Sequence, residues 1–354
     1  MTEFLLVLLA GIALLWAIAV FYLQGPDLSA FDQPARPPRA NITPPSQEHL
    51  AVVASLSGIA DVIKRTPRRQ HIAVLRNYLD TAFDSPQLPA QFTPVNAAGV
   101  AAEWVLAPGV RSSRRLLYIH GGAYTMGSPK SHRRLTSKLS ELANAAVLAI
   151  DYRLMPENPR LAGIEDCRSA YRWLLDNGPS GASTAEVIFV AGDSAGGNLT
   201  LSLIAWVRDQ GMRAPNAAVA LSPATDGTLG SPSLKTNLAT DPMLGPLFKA
   251  LTRIPRPVLL WGAWLQTRLR PNDPVVSPVF GNLAGLPPLL VLASEMEMLF
   301  DDSQRYVNKA LAAGSPVRFQ TWPHMVHVWQ IYHPELPEGR EALDEIGKFL
   351  RQCA

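Results

Sequence analysis

An α/β architecture, with a mostly parallel central sheet and helices on both of its faces, is what these 354 residues predict. Three observations carry it. Short β-rich apolar runs alternate with helical spans from about residue 95 onward. A Gly-x-Ser-x-Gly pattern sits between one such run and the helix after it, and an apolar run stands apart at the start, ahead of a proline-rich stretch. The composition agrees with a folded domain: 47% apolar and 17% charged residues exclude disorder, collagen and coiled coil. With 32 basic and 29 acidic residues the net charge is +3, and no basic stripe with interleaved aromatics offers itself to a phosphate backbone, so nucleic acid is excluded as an expected partner. Cys167 and Cys353 are too few for a disulfide framework and lack the paired spacing of a zinc site.

Residues 4–23 read FLLVLLAGIALLWAIAVFYL. As a helix rising ~1.5 Å per residue the run matches a hydrocarbon layer of ~30 Å, so residues 1–23 are expected to anchor the chain in a lipid bilayer. A cleaved signal peptide and a buried core helix are the alternatives. Against the signal, the segment before the run, Met1, Thr2 and Glu3, has no basic residue, and bulky Phe21, Tyr22 and Leu23 close the run where a cleavage site wants small side chains. Arg36, Arg39, Lys64, Arg65, Arg68 and Arg69 follow the run and none precedes it, which predicts that the bulk of the chain is cytoplasmic. Asn41, Ile42 and Thr43 spell a glycosylation sequon, of consequence only on a lumenal face.

Residues 24–45 contain Pro26, Pro34, Pro37, Pro38, Pro44 and Pro45, which withhold backbone donors and favour an extended tether. Residues 46–94 hold two stretches of helical period, one with Leu50, Val53, Leu56, Ala60 and Ile63, the other with Ile72, Leu75, Leu79 and Phe83. They are expected to form a helical cap segment packed on the main domain; the basic residues at their junction leave contact with an anionic lipid surface as the alternative. In residues 95–354 the strand-like runs are 116–119, 146–150, 187–191, 218–221, 289–293 and 317–322, with helix-like spans such as 167–175 and 199–210 between them. Ligands of such sheets lie beyond the carboxyl ends of the strands, so the chemistry is sought there.

Gly192, Asp193, Ser194, Ala195 and Gly196 form the Gly-x-Ser-x-Gly pattern, with a strand before and an amphipathic helix after. Two glycines permit a tight strand-to-helix turn that leaves the Ser194 hydroxyl exposed at its apex. A phosphate cradle is the competing reading, but no lysine follows as a P-loop requires. A serine hydroxyl needs a base, and the base a carboxylate that fixes its tautomer. Of seven histidines only His324, His327 and His333 follow the last strand, as the order serine, acid, histidine demands. His327 is the expected base, since it lies in the loop just beyond the strand ending near Trp322; His324 is the next candidate. The acid must lie after the run 289–293, where Glu295, Glu297, Asp301 and Asp302 compete. Asp301 and Asp302 open a helix-like segment and are suited to capping it. Upstream, a strand ends in His120, Gly121, Gly122, Ala123 and Tyr124. Gly121, Gly122 and Ala123 are expected to line an oxyanion hole, with the N–H groups of Gly122, Ala123 and Ala195 as donors worth roughly 3–4 kcal/mol each in the transition state.

These residues, together with DYRLMPE at 151–157, DPVVSP at 273–278 and HVW at 327–329, resemble the hormone-sensitive-lipase-like carboxylesterases, or bacterial family IV esterases, of the α/β-hydrolase fold. The resemblance covers about residues 95–352 and looks strongest toward the monoterpene lactone hydrolases and acetyl-ester hydrolases. It implies a nucleophile at Ser194, a histidine at His327 and an acid at Glu297, with Asp301 or Asp302 as the fallback. Most members carry Asp in a D-P-L motif where this chain has Glu297, Met298 and Leu299, and a third Gly where it has Ala123. The family's N-terminal helices form a cap, and residues 151–157 are a structural loop near the site. The expected function is hydrolysis of hydrophobic short-to-medium acyl esters or lactones, with neither cofactor nor metal. Amide, thioester or acyl-transfer chemistry by the same triad is the first alternative. A catalytically silent membrane-tethered binding module is the second.

Overall fold

The computed structural model describes residues 2–33, 44–83 and 87–354. Pro34, Arg36, Pro37, Pro38, Arg39 and the sequon at 41–43 lie outside the described residues, as do the side chains of Ala60, Ile63 and Lys64.

Eight strands make one sheet: β1 (Gln91–Ala97), β2 (Val100–Leu106), β3 (Arg111–Ile119), β4 (Ala145–Ile150), β5 (Val187–Asp193), β6 (Ala217–Leu221), β7 (Leu289–Ser294) and β8 (Val317–Trp322). Their order is β1-β2-β4-β3-β5-β6-β7-β8. β2 runs antiparallel to both of its neighbours, and β4, β3, β5, β6, β7 and β8 are mutually parallel. The inner strands are buried on both faces, which is why β4 reads AAVLAI without a polar residue and all six of its residues are buried.

Eleven helices are described: α1 (Thr2–Ile18), α2 (Gln47–Arg65), α3 (His71–Ala82), α4 (Arg133–Ala143), α5 (Arg160–Asp176), α6 (Ala195–Asp209), α7 (Ser233–Thr236), α8 (Leu244–Phe248), α9 (Arg256–Thr267), α10 (Phe300–Ala312) and α11 (Pro337–Gln352). Alternation along the strands sorts the core into two layers. Leu116 and Tyr118 of β3 face α4 and α11, through Leu135, Leu139, Leu343 and Ile346. Leu117 and Ile119 face the other way, onto Ile164 and Tyr171 of α5 and Leu199 and Leu203 of α6. Farther along that second face, Val291 of β7 and Phe319 of β8 pack with Tyr306 and Val307 of α10.

Three boundaries differ from the sequence reading. The proposed cap segment ended at 94, but β1 begins at Gln91. Pro94 and a mostly exposed burial pattern obscure this strand, and both are tolerated because it is the sheet's edge. The tether was expected to run free from residue 24. Instead residues 24–33 are packed: Leu28 is buried in the core beside α10, Asp32 pairs with Arg305 at 2.5 Å, and Asn308 donates to the Phe31 carbonyl at 2.8 Å. The N-terminal helix was set apart from the core, yet Ala19 and Leu23, in the π-turn Ala19–Leu23 that continues α1, are buried against Leu260 of α9. Residues 2–16 of α1 are exposed. Over Thr2–Leu23 the helix is long and apolar enough to cross a membrane, by length and composition.

Candidate active site

β5 lies in the middle of the sheet and carries the candidate nucleophile at its carboxyl end. Ser194 takes φ 52° and ψ −115°, backbone that costs a non-glycine residue on the order of 1–3 kcal/mol. Neighbours on both sides over-determine it. Its N–H donates to the Leu221 carbonyl at the end of β6 at 2.7 Å, and a Cβ on Gly196 would meet the Ile119 carbonyl oxygen of β3 at 1.9 Å. Only glycine lets the first turn of α6 lie so close to β3.

Ser194 Oγ is 2.8 Å from Nε2 of His327, in the loop after β8. On the other side of the ring, Nδ1 is 2.5 Å from Oε2 of Glu297, in the loop after β7. Glu297 is fully buried, and its second oxygen accepts the Ser294 N–H at 2.9 Å. The acid loop is strapped from outside by Asn237, which donates to the carbonyls of Glu295 and Glu297, and by Asp241, which accepts the Met298 N–H at 2.8 Å. Burial of His327 works against its imidazolium, but the hydrogen bond and charge of Glu297, reinforced by Asp241 and Asp193, outweigh it and raise the histidine's pKa.

The competing residues are occupied elsewhere. Glu295 accepts the Thr321 hydroxyl at 2.7 Å. Asp301 accepts the Ser233 N–H at 2.7 Å. Asp302 accepts the N–H groups of Thr225 and Asp226 at 2.7 and 2.9 Å and the hydroxyl of Ser231, and burial beside Asp226 pushes it up to about 7. Both aspartates sit in the first turn of α10, but their carboxylates brace the loop after β6. His324 is half-buried three residues before His327, and among the described residues it has no hydrogen bond to Ser194 or to a carboxylate. No group of three or more His, Cys, Asp or Glu among the described residues is arranged to hold a metal.

The loop after β3 differs from expectation at one position. Gly121 does not offer its N–H to the site: it donates to Asp193 Oδ1 at 2.9 Å. That contact needs glycine, because a Cβ there would meet Asp193 Oδ2 at 2.1 Å. Gly122 and Ala123 follow with φ of 112° and 52°. Their N–H groups, and that of Ala195 at the start of α6, have no acceptor among the described residues. Helix α3 grips this loop, since Arg76 donates to the Thr125 carbonyl at 2.7 Å and Asp80 accepts the Ser128 hydroxyl at 2.5 Å. Arg76 also reaches Glu157 of the DYRLMPE stretch.

Beneath the loop lies a buried group that sequence reading missed. Asp193 accepts the Tyr118 hydroxyl at 2.6 Å and lies 3.3 Å from Nε2 of His132. Burial disfavours the Asp193 carboxylate, yet His132 and Tyr118 hold its pKa below the ordinary value; burial likewise opposes the His132 cation, and Asp193 raises it. Next to them His120 stacks on Tyr152 and is driven down to about 3 by burial and by His132. It is therefore a neutral ring, bonded through Nδ1 to the Gly121 carbonyl.

Known proteins share the sequence family and the fold. The family with the alpha/beta hydrolase fold matches residues 116–331. An acetyl-hydrolase of Streptomyces hygroscopicus is 43% identical over 258 residues, 73% of this chain and 81% of the relative. A carboxylesterase/phospholipase of Mycobacterium tuberculosis is 35% identical over 273 residues, 74% of this chain and 69% of that one. Among solved structures, an esterase from the bacterial hormone-sensitive lipase family superposes with a TM-score of 0.74 at 35% identity, covering 88% of this chain and 99% of its own. The chain is a hydrolase and belongs to the hormone-sensitive-lipase-like carboxylesterases of the alpha/beta hydrolase fold.

Proposed function

We propose that the enzyme hydrolyses uncharged carboxylic esters of short to medium acyl chain, or lactones, through Ser194, His327 and Glu297. The observation that carries this reading is the continuous hydrogen-bonded series from the strained Ser194 through both ring nitrogens of His327 to the buried Glu297. His327 takes the hydroxyl proton on Nε2 as Ser194 Oγ attacks the ester carbonyl, and Glu297 stabilises the imidazolium and holds its tautomer. The N–H groups of Gly122, Ala123 and Ala195 stabilise the oxyanion. His327 then returns the proton to the leaving alcohol and, in the second half, activates water against the acyl-enzyme. The relatives named acetyl-hydrolase and carboxylesterase support an ester as substrate.

A panel of p-nitrophenyl esters from acetyl to octanoyl, with a set of simple lactones beside it, tests the proposal. Turnover of the wild type on members of the panel, abolished in Ser194→Ala, is expected. A folded wild type that hydrolyses none of them contradicts it.

The N-terminal helix is retained as a membrane anchor in this reading. A leader destined for removal has no cause to be built into the body, whereas here Ala19 and Leu23 are buried against Leu260 of α9 and the Leu15 carbonyl accepts from Trp261.

A further inference from the structure

Between Asp241 and Asp273 the chain carries Lys249, Arg253, Arg256, Arg268 and Arg270 and no acidic residue. Its large apolar residues are exposed where a soluble surface would hide them: Leu247 55%, Val258 58% and Leu265 54%, with Leu251 and Ile254 at 38% each. Val258 and Leu265, seven residues apart within α9, lie near one side of that helix, and Leu247, Leu251 and Ile254 lie in the segment just before it. A bare apolar patch rimmed by cations suits an anionic lipid surface, into which apolar side chains dip while Lys and Arg reach the headgroups.

What covers the patch follows from the helix beside it. Trp261 of α9 donates through Nε1 to the Leu15 carbonyl at 3.0 Å, Leu260 packs on Ala19 and Leu23, and Arg270 lies over the Tyr22 ring at 5.0 Å. α9 therefore runs alongside the last third of the apolar helix. Residues 4–23 give about 30 Å of helix, just enough for a hydrocarbon layer, while residues 4–15 alone give only about 18 Å. If the helix spans, the stretch that α9 touches must be inside the bilayer, and α9 with it.

We propose that residues 244–268, led by α9, enter the interfacial layer of the membrane beside the N-terminal helix and seat the catalytic body on an anionic lipid surface. The proposal rests on the anchor reading given above. The seat is joined directly to the site: the chain enters it just after Asn237 and Asp241, the two residues that strap the Glu297 loop. Trp261 and Trp264, their rings edge to face at 5.5 Å, pack against Ala19 and Leu23 at the end of the same apolar helix.

Nitroxide labels test this in the full chain, in vesicles of phosphatidylcholine and phosphatidylglycerol. With Cys353→Ser as background, single labels are placed at Val258→Cys, Leu265→Cys and, as an aqueous reference, Lys348→Cys. The ratio of collisions with oxygen to collisions with a water-soluble nickel chelate is expected to be several-fold higher at 258 and 265 than at 348. Ratios equal to that at 348 overturn the proposal. So does an intact mass showing that residues 1–23 have been removed, which refutes the anchor as well. Ester hydrolysis in the same vesicles reads the esterase separately: its absence with raised ratios refutes the esterase alone, and hydrolysis with equal ratios refutes the seat alone.

Discussion

Asp193, the residue before Ser194, accepts the backbone N–H of Gly121 at 2.9 Å, and so ties the turn at the end of β5 to the loop after β3 that carries Gly122 and Ala123. The two pieces come from β5 and β3, and this bond fixes their spacing at the point where a carbonyl must fit between them. Catalysis of the proposed kind depends on donors already aimed at the developing charge, and in that mechanism the Gly122 and Ala123 N–H groups follow a residue held by the buried Asp193 carboxylate.

Asp193→Asn is therefore expected to weaken both the fold and turnover. Removing one member of a buried ion pair costs about 3–5 kcal/mol. The cost depends on pH. The depressed pKa of Asp193 means that its contribution exists above the unfolded carboxylate value and is lost as pH falls through the folded one. The raised pKa of His132 means that its contribution exists below the unfolded imidazole value and is lost as pH rises through the folded one. Urea titrations across pH should show the gap between wild type and variant widest between these limits.

Glu297→Gln should lower kcat/KM on the order of 10⁴-fold while leaving the fold intact, because the tautomer and charge support of His327 are lost. The pH profile separates this from simple misplacement. Glu297 raises the pKa of His327, so the acid limb of the wild-type profile lies above the ordinary imidazole value. In the variant, burial acts without that support and the limb moves to lower pH. If Asp301→Asn or Asp302→Asn produces the loss and Glu297→Gln does not, the acid is misassigned.

Ala123 is a relief point. It holds φ 52°, where its Cβ costs roughly 1–2 kcal/mol relative to glycine, part of which glycine's unfolded-state entropy offsets. Ala123→Gly keeps the N–H and should raise Tm by about 2–4 °C per kcal/mol regained, with turnover on small esters retained. A lowered Tm would show that the methyl packs where no strain is relieved.

Much of this was readable from the chain. The glycine spacing at 192–196, set between a β-rich run and an amphipathic span, located Ser194, and the position of His327 after the last strand singled it out. The acid was not resolved locally, since four carboxylates fall within eight residues and only the turn after β7 decides which faces the ring. Gly121 was placed in the lining of the oxyanion hole, and its bond to a side chain 72 residues away leaves no trace in the sequence spacing. The first part of the tether was misread because prolines forbid regular hydrogen bonding but not packing, and Leu28 packs. The cationic apolar segment at 244–268 gave no strand or helix alternation of its own, and its meaning depends on the helix it touches.

The most direct measurement is the intact mass of the full-length protein after exposure to a fluorophosphonate, comparing wild type with Ser194→Ala. The account predicts one adduct on the wild type and none on the variant, since only a serine deprotonated by His327 attacks phosphorus. A folded wild type without an adduct, or an adduct that survives in Ser194→Ala, would contradict it.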